Sequence, residues 1–306
     1  VKPALLLALL ASPVMAGDLA FVTSQNGNAL SVVDLGDGQV TAQVEIPGAP
    51  APVAYDAERG RVHVIAANTG RLHVLDKTLA PLRQLDLGEG AFGIATGPDG
   101  ALFVTDWFGA RLTRLDRDLV PVWQSATGAA PAGVSVSADG KLVATADRDA
   151  DAVSIFAAGD GSLLHQVKTA GAHSFGITFH DGLFWTADVM GDSVSVIDPA
   201  AGRLVGQIPT GSHPYALAFA KGRGFVTNQY DGTVTVFDAA SHAVQGTITV
   251  GDYPEGISTL PDGSGVAVAN WDSDTLSIID ATDLTVTMTV DLPSGPRAFG
   301  VFTGPP

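Results

Sequence analysis

Cysteine is absent from this 306-residue chain, which excludes disulfides, thiolate metal sites and a cysteine nucleophile. Basic residues are scarce: 16 Lys and Arg stand against 32 Asp and Glu, for a net charge of −16. A surface that acidic repels phosphate backbones, so nucleic acid is not an expected partner. Charged residues make up only 16 % and hydrophobic ones 46 %; a chain so composed buries a core and is not disordered. Beyond residue 16 no apolar run approaches the roughly 18 residues of a membrane-spanning helix, so no membrane span is expected. Also missing are a Gly-x-Ser-x-Gly elbow, His-Glu-x-x-His, a Walker loop and Cys-x-x-Cys-His. No catalytic residue is therefore assigned, and the chain leans away from being an enzyme.

The first sixteen residues read as a leader. Lys2 supplies the charged start, Ala4 to Ala11 an eight-residue apolar stretch, and Val14-Met15-Ala16 a small-residue cleavage site. Such a segment is a secretory signal peptide, too short to span a bilayer. The expectation is an exported, periplasmic protein whose residues 17–306 form one domain, a monomer.

What the chain does have is repetition. A β-branched run recurs seven times, from Leu30-Ser-Val-Val-Asp34 through Val194-Ser-Val-Ile-Asp198 to Leu276-Ser-Ile-Ile-Asp280. The runs end at 34, 76, 116, 157, 198, 238 and 280, so the period stays between 40 and 42 residues. A second run precedes each copy, as in Phe103-Val-Thr-Asp106 and Phe225-Val-Thr-Asn228. Asp-Gly pairs such as Asp99-Gly100 and Asp262-Gly263 punctuate tight hairpins, where Gly takes a positive φ without steric cost. No stretch shows a 3.6-residue apolar period, so helices should be nearly absent. Four short strands per repeat, seven times, predict an all-β, seven-bladed β-propeller of four-stranded antiparallel blades. Because the repeats open at a second strand, the C-terminal segment Ala298 to Phe302 is expected to close the first blade in a 1 + 3 clasp.

Phe225-Val-Thr-Asn228, the Val-Ser-Val-Ile-Asp runs and the Gly-x-x-Pro-x-Gly-Ile junctions resemble the YVTN-type propeller repeats of exported bacterial and archaeal proteins, YncE-like proteins among them. The resemblance spans residues 18–302. It implies the propeller fold and a spread of roles: surface or periplasmic binding proteins, relatives of haem d1-binding domains and quinoprotein-associated subunits. DNA binding, attached to some members, is at odds with the acidic charge here.

Function should sit where strand d of one blade crosses to strand a of the next, beside the b–c loops, since variable loops on a rigid scaffold carry binding. The junctions align on a Gly-x-x-x-x-Gly-Ile frame. At their third position the ring reads Pro50, Gly90, Ala130, His173, His213, Tyr253 and Arg297; two positions on it reads Pro52, Phe92, Ala132, Phe175, Tyr215, Glu255 and Phe299. Arg offers a planar fork for a carboxylate or phosphate, His tunable donors and Tyr a hydroxyl. His173, His213, Tyr253 and Arg297 therefore predict capture of a small anionic ligand or cofactor, stacked on Phe175 and Tyr215. Trp107 and Trp271, aromatics in loops, are further ligand or partner contacts. Two rival readings stay open. His173 and His213, with Met190 as a soft third ligand or Asp188 as a hard one, could hold a metal for a cofactor-dependent enzyme or a maturation factor. Alternatively the loop tryptophans could anchor a protein partner on a scaffold. The identity of any cofactor is not written in these residues. The Asp and Asn residues that open each b–c loop read as turn caps rather than ligands.

Overall fold

The computed structural model describes residues 17–306; the leader expected over 1–16 lies outside the described residues. The described chain forms seven four-stranded antiparallel sheets, one per repeat. Blade 5 shows the pattern: Ser174–His180 (strand a), Leu183–Asp188 (b), Ser193–Asp198 (c) and Arg203–Pro209 (d), each paired with the next. The inner strands of blades 2, 3, 4, 6 and 7 are Pro50–Asp56, Ala91–Thr96, Pro131–Val136, Pro214–Ala220 and Pro254–Thr259. Apart from a single 3-10 turn at Arg148–Ala150, no helix occurs among the described residues. Strand a of blades 2 and 6 is buried throughout, whereas strand d of blade 5 alternates between exposed and covered residues. That gradient is what sandwiching each sheet between two neighbours requires: only the outermost strand meets water on the rim.

The repeat residues have structural duties. The Thr of the second run ties its blade to the next: Thr23 Oγ1 donates to the Ala51 carbonyl (2.7 Å), Thr105 to Ala132 (2.9 Å) and Thr227 to Glu255 (2.9 Å). The Asp or Asn that follows pins the junction entering its own blade. Asp188 Oδ2 accepts from the Gly171 N–H, Ser193 Oγ and Ser195 Oγ; Asn228 accepts from the Gly211 N–H and donates to Thr233 and Thr235. The Asp closing strand c caps the following hairpin, as Asp76 Oδ1 does for the Thr78 and Ala80 N–H groups. The Gly of the Gly-Ile frame lets neighbouring inner strands touch: a Cβ on Gly93 would overlap the Ala132 carbonyl oxygen, and one on Gly256 the carbonyls of Arg297 and Ala298.

The ring closes through the C-terminus, but not in the expected register. Sheet pairing to blade 1 falls at Thr303–Gly304, with Leu19 opposite Gly304 and Ala20 opposite Thr303. Before it, Ser24 bridges to Pro296 and the Phe21 N–H reaches the Phe302 carbonyl at 2.7 Å. Between those bridges six residues of the closing segment face three of strand b, whereas in blade 4 a bulge sets two against one. The surplus is taken up by the stretch from Ala298 to Val301, which bows inward onto blade 2. There Phe299 bonds Ala51 and Val53, and the Val301 carbonyl takes the Tyr55 N–H. Phe302 is fully buried in the core beneath it.

Candidate functional site

The junctions and b–c turns lie side by side on one face. Four of the third-position residues have left-handed backbone: His173, His213 and Tyr253 have φ of 59°, 56° and 51°, and Ala130 has 51°. Left-handed backbone is uncommon outside Gly, and His is among the residues enriched there. The His173 and His213 N–H groups bond Asp151 and Asp192 at 2.7 and 2.9 Å. The carbonyls of His173, His213 and Tyr253 accept from Val189, Gln229 and Trp271. The position is a structural corner in four blades, and the Arg297 side chain takes its partners from Tyr215, Gln25 and Glu255 instead of from these residues. The His213 ring stacks on Tyr230 (3.7 Å between centroids, 15° between planes), and its Nδ1 lies 2.9 Å from Ser212 Oγ. Among the described residues no group of three His, Cys, Asp or Glu is placed to hold a metal. Asp188 is committed to its hydroxyl cage, and Met190 stands exposed on its turn.

The second ring position does converge. Phe92, Phe175, Tyr215 and Phe299 meet across the channel with centroid separations of 4.5 Å for Phe175–Tyr215, 5.2 Å for Phe175–Phe299 and 5.4 Å for Phe92–Phe299. Trp107 joins from the blade 3 turn, 5.6 Å from Phe92 and 6.0 Å from Phe175. This belt divides the channel. Beneath it a cavity of about 330 Å³ is walled by aliphatic and hydroxyl side chains such as Ile94, Ile177, Thr178 and Ser258.

Arg297 sits against the belt, its guanidinium carbon 5.6 Å from the Tyr215 centroid and 5.9 Å from that of Phe92. Nε donates to Tyr215 Oη (3.1 Å), Nη2 to the same oxygen (2.5 Å) and Nη1 to Gln25 Oε1 (3.1 Å). Nε also lies 2.7 Å from Glu255 Oε2; this is a charge contact, since the N–H itself points at Tyr215. Gln229 Nε2 holds the other Glu255 oxygen at 2.6 Å. Burial pushes the Glu255 carboxyl up, opposed by Arg297 and Gln229. Burial works against the charged guanidinium, but Tyr215 and Glu255 outweigh it and hold Arg297 protonated. The Tyr215 phenol is pushed far up by burial. Arg297 is thus a largely satisfied cation at the base of the mouth.

Above it, over blades 2 to 4, opens a pocket of about 420 Å³ whose walls include Phe92, Trp107, Phe108, Arg148, Phe175 and Arg297, with the Glu89 carboxylate on its edge. Small residues make the room: Gly90, at the third position of the blade 3 junction, lines the pocket next to Ala67 and Ala91. The Arg148 guanidinium lies 5.6 Å over Trp107 and spends Nη1 on Asp149. Phe108 is 76 % exposed, with its ring at the rim. Of the residues proposed from sequence, Trp107, Phe175 and Arg297 line this pocket and Tyr215 supports it. His173, His213, Tyr253 and Trp271 lie outside its walls. Arg148 and Phe108 escaped the sequence reading because nothing in their turns marks which ones border empty space.

Residues 115–262 match the family model described as YNCE-like beta-propeller. No curated protein sequence matches the chain. Among solved structures, a functionally unknown protein from Desulfotomaculum acetoxidans superposes with a TM-score of 0.78 at 14 % identity, covering 93 % of this chain and 98 % of its own. Hydrazine synthase of Kuenenia stuttgartiensis gives 0.72 at 16 % identity over 83 % and 90 %. The dihydro-heme d1 dehydrogenase NirN gives 0.69 at 15 % identity over 97 % and 78 %. At these identities the likeness is one of fold.

Proposed function

We propose that this chain, a member of the YncE-like β-propeller family, is an exported binding protein that captures a small planar anion in the loop-face pocket. The observation that carries the reading is the pairing of aromatic walls with a guanidinium in a preformed cleft of about 420 Å³. Phe92, Trp107 and Phe175 supply π-faces, and such pockets bind mainly through apolar enclosure. The Arg148 donors not spent on Asp149 offer a fork for a carboxylate. Because Arg297 is already neutralised by Glu255, it orients a ligand more than it attracts one. Capture in a rigid ring needs little conformational change, which limits the ordering cost. Export is supported by the charged, apolar and small-residue sequence of the leader, and no described helix is long and apolar enough to cross a membrane.

The test uses benzoate, 4-hydroxybenzoate and 1-naphthoate as probes, read by tryptophan fluorescence and by melting temperature. Binding that rises with ring size and falls at least about tenfold in Arg148→Ala is expected, the usual size of a lost charge-assisted contact. His173→Ala should leave it unchanged. Equal binding by Arg148→Ala, or loss in His173→Ala alone, would return the site to the histidines. Mass analysis of the exported protein should show cleavage after Ala16.

A further inference from the structure

Uncompensated acidic side chains of the loop face concentrate on blades 5 to 7. In blades 2 to 4 the junctions and b–c turns carry Arg148 alongside Glu89, Asp149 and Asp151. The junctions and b–c turns of blades 5 to 7 (169–173, 189–192, 210–213, 229–232, 250–253 and 271–274) contain Asp192, Asp231, Asp252, Asp272 and Asp274 and no Lys or Arg. Across them runs a ribbon of rings. His213 lies under Tyr230, Tyr230 is 5.4 Å from Tyr253, and Tyr253 is 6.1 Å from Trp271. Tyr230 and Tyr253 are 57 % and 37 % exposed, so their faces meet solvent. The ribbon is rigidly mounted: Asp192 caps the His213 N–H, Asp231 the Ser212 N–H, and Trp271 Nε1 donates to Gln25.

We infer that this ribbon is a docking surface for an extended arginine- and lysine-bearing segment of a protein partner. Guanidinium and ammonium groups are drawn to tyrosine and tryptophan faces, and the flanking carboxylates take their N–H groups. The rings touch one another at 5.4–6.1 Å, which leaves no ion-sized gap between them. That spacing suits a chain lying across the rings rather than a small ammonium caged within them. The net charge of −16 steers such a segment inward, and the aromatic ribbon fixes where it lands. The inference does not depend on what fills the pocket over blades 2 to 4.

The test is fluorescence anisotropy of a short labelled Arg-Gly-Ser repeat peptide against the whole protein near physiological ionic strength, with a Glu-Gly-Ser peptide as control. Tyr230→Ala/Tyr253→Ala and, separately, Asp252→Asn/Asp272→Asn should each weaken binding about tenfold. Asp139→Asn/Asp262→Asn makes the same charge change in hairpins of the opposite face and should stay within about twofold of the parent, the size of a screened long-range effect. Equal loss in all three variants, or in none, would reduce the interaction to net charge and overturn the proposal. Displacement of the peptide by spermine at matched charge would overturn it in favour of a small polycation. The Asp variants decide the matter if the Tyr pair lowers the melting temperature.

Discussion

Two of the junction-pinning residues are carboxylates in places where two other blades use an amide, and this makes a sharp prediction. Asp147 and Asp188 are fully buried. Burial pushes each up to about 6 from 3.8, opposed by Ser154, Thr145 and the Gly128 N–H at Asp147 and by Ser195, Ser193 and the Gly171 N–H at Asp188. With the folded value above the unfolded one, the protonated form favours folding. Its contribution is complete below about pH 4 and is lost as pH rises through 6. A difference of that size corresponds to about 3 kcal/mol per carboxylate. Asn228 shows how an amide fills the same position: Oδ1 takes the Gly211 N–H and Nδ2 donates to Thr233 and Thr235. Ser195 can receive an amide N–H as Thr235 does, for both already accept a junction N–H. Asp188→Asn should therefore match the parent near pH 4 and exceed it by about 3 kcal/mol at pH 8. The melting temperature would rise by about 5–8 °C. Urea or thermal denaturation across pH 4–8 reads this directly. Identical pH slopes in parent and variant, or a variant weakened at pH 8, would refute the reasoning.

Other expectations concern closure and the buried ion pair. Phe302→Ala should cost about 3–5 kcal/mol, as for other buried aromatics; an unchanged denaturation curve would mean that the C-terminal segment does not close the ring. Arg297→Met leaves Glu255 buried without its cation and should cost about 3–5 kcal/mol. Adding Glu255→Gln should recover much of that loss, and no recovery would deny the pair its role. Thr227→Val removes the hydrogen bond to the Glu255 carbonyl at nearly constant volume and should cost about 1 kcal/mol in the same denaturation assay.

The fold was legible because its determinants are local and repeated. Asp-Gly hairpins, alternating β-branched strands and the Thr and Asn of each second strand act within one blade or between neighbours. Closure was legible in kind, but the paired strand lies two to five residues beyond the expected Ala298 to Phe302, at Thr303–Gly304. The surplus that bows Ala298 to Val301 inward is set by contacts with Ala51, Val53 and Tyr55, about 250 residues away in sequence. The aromatic belt was visible as a position in the junction frame. The pocket was not, because it is a void. Polar side chains at the third position drew the reading to blades 5 to 7, while Gly90 and its small neighbours left the space over blades 2 to 4. The His213 ring is taken up by Tyr230 and Ser212 in its own blade, and no spacing rule shows that pairing.

The most direct test is a crystal structure of the protein soaked with 1-naphthoate. The account predicts the ring between Phe92, Trp107 and Phe175, with its carboxylate on the Arg148 guanidinium. Density beside His173 and His213 instead, or in the cavity beneath the belt, would contradict it.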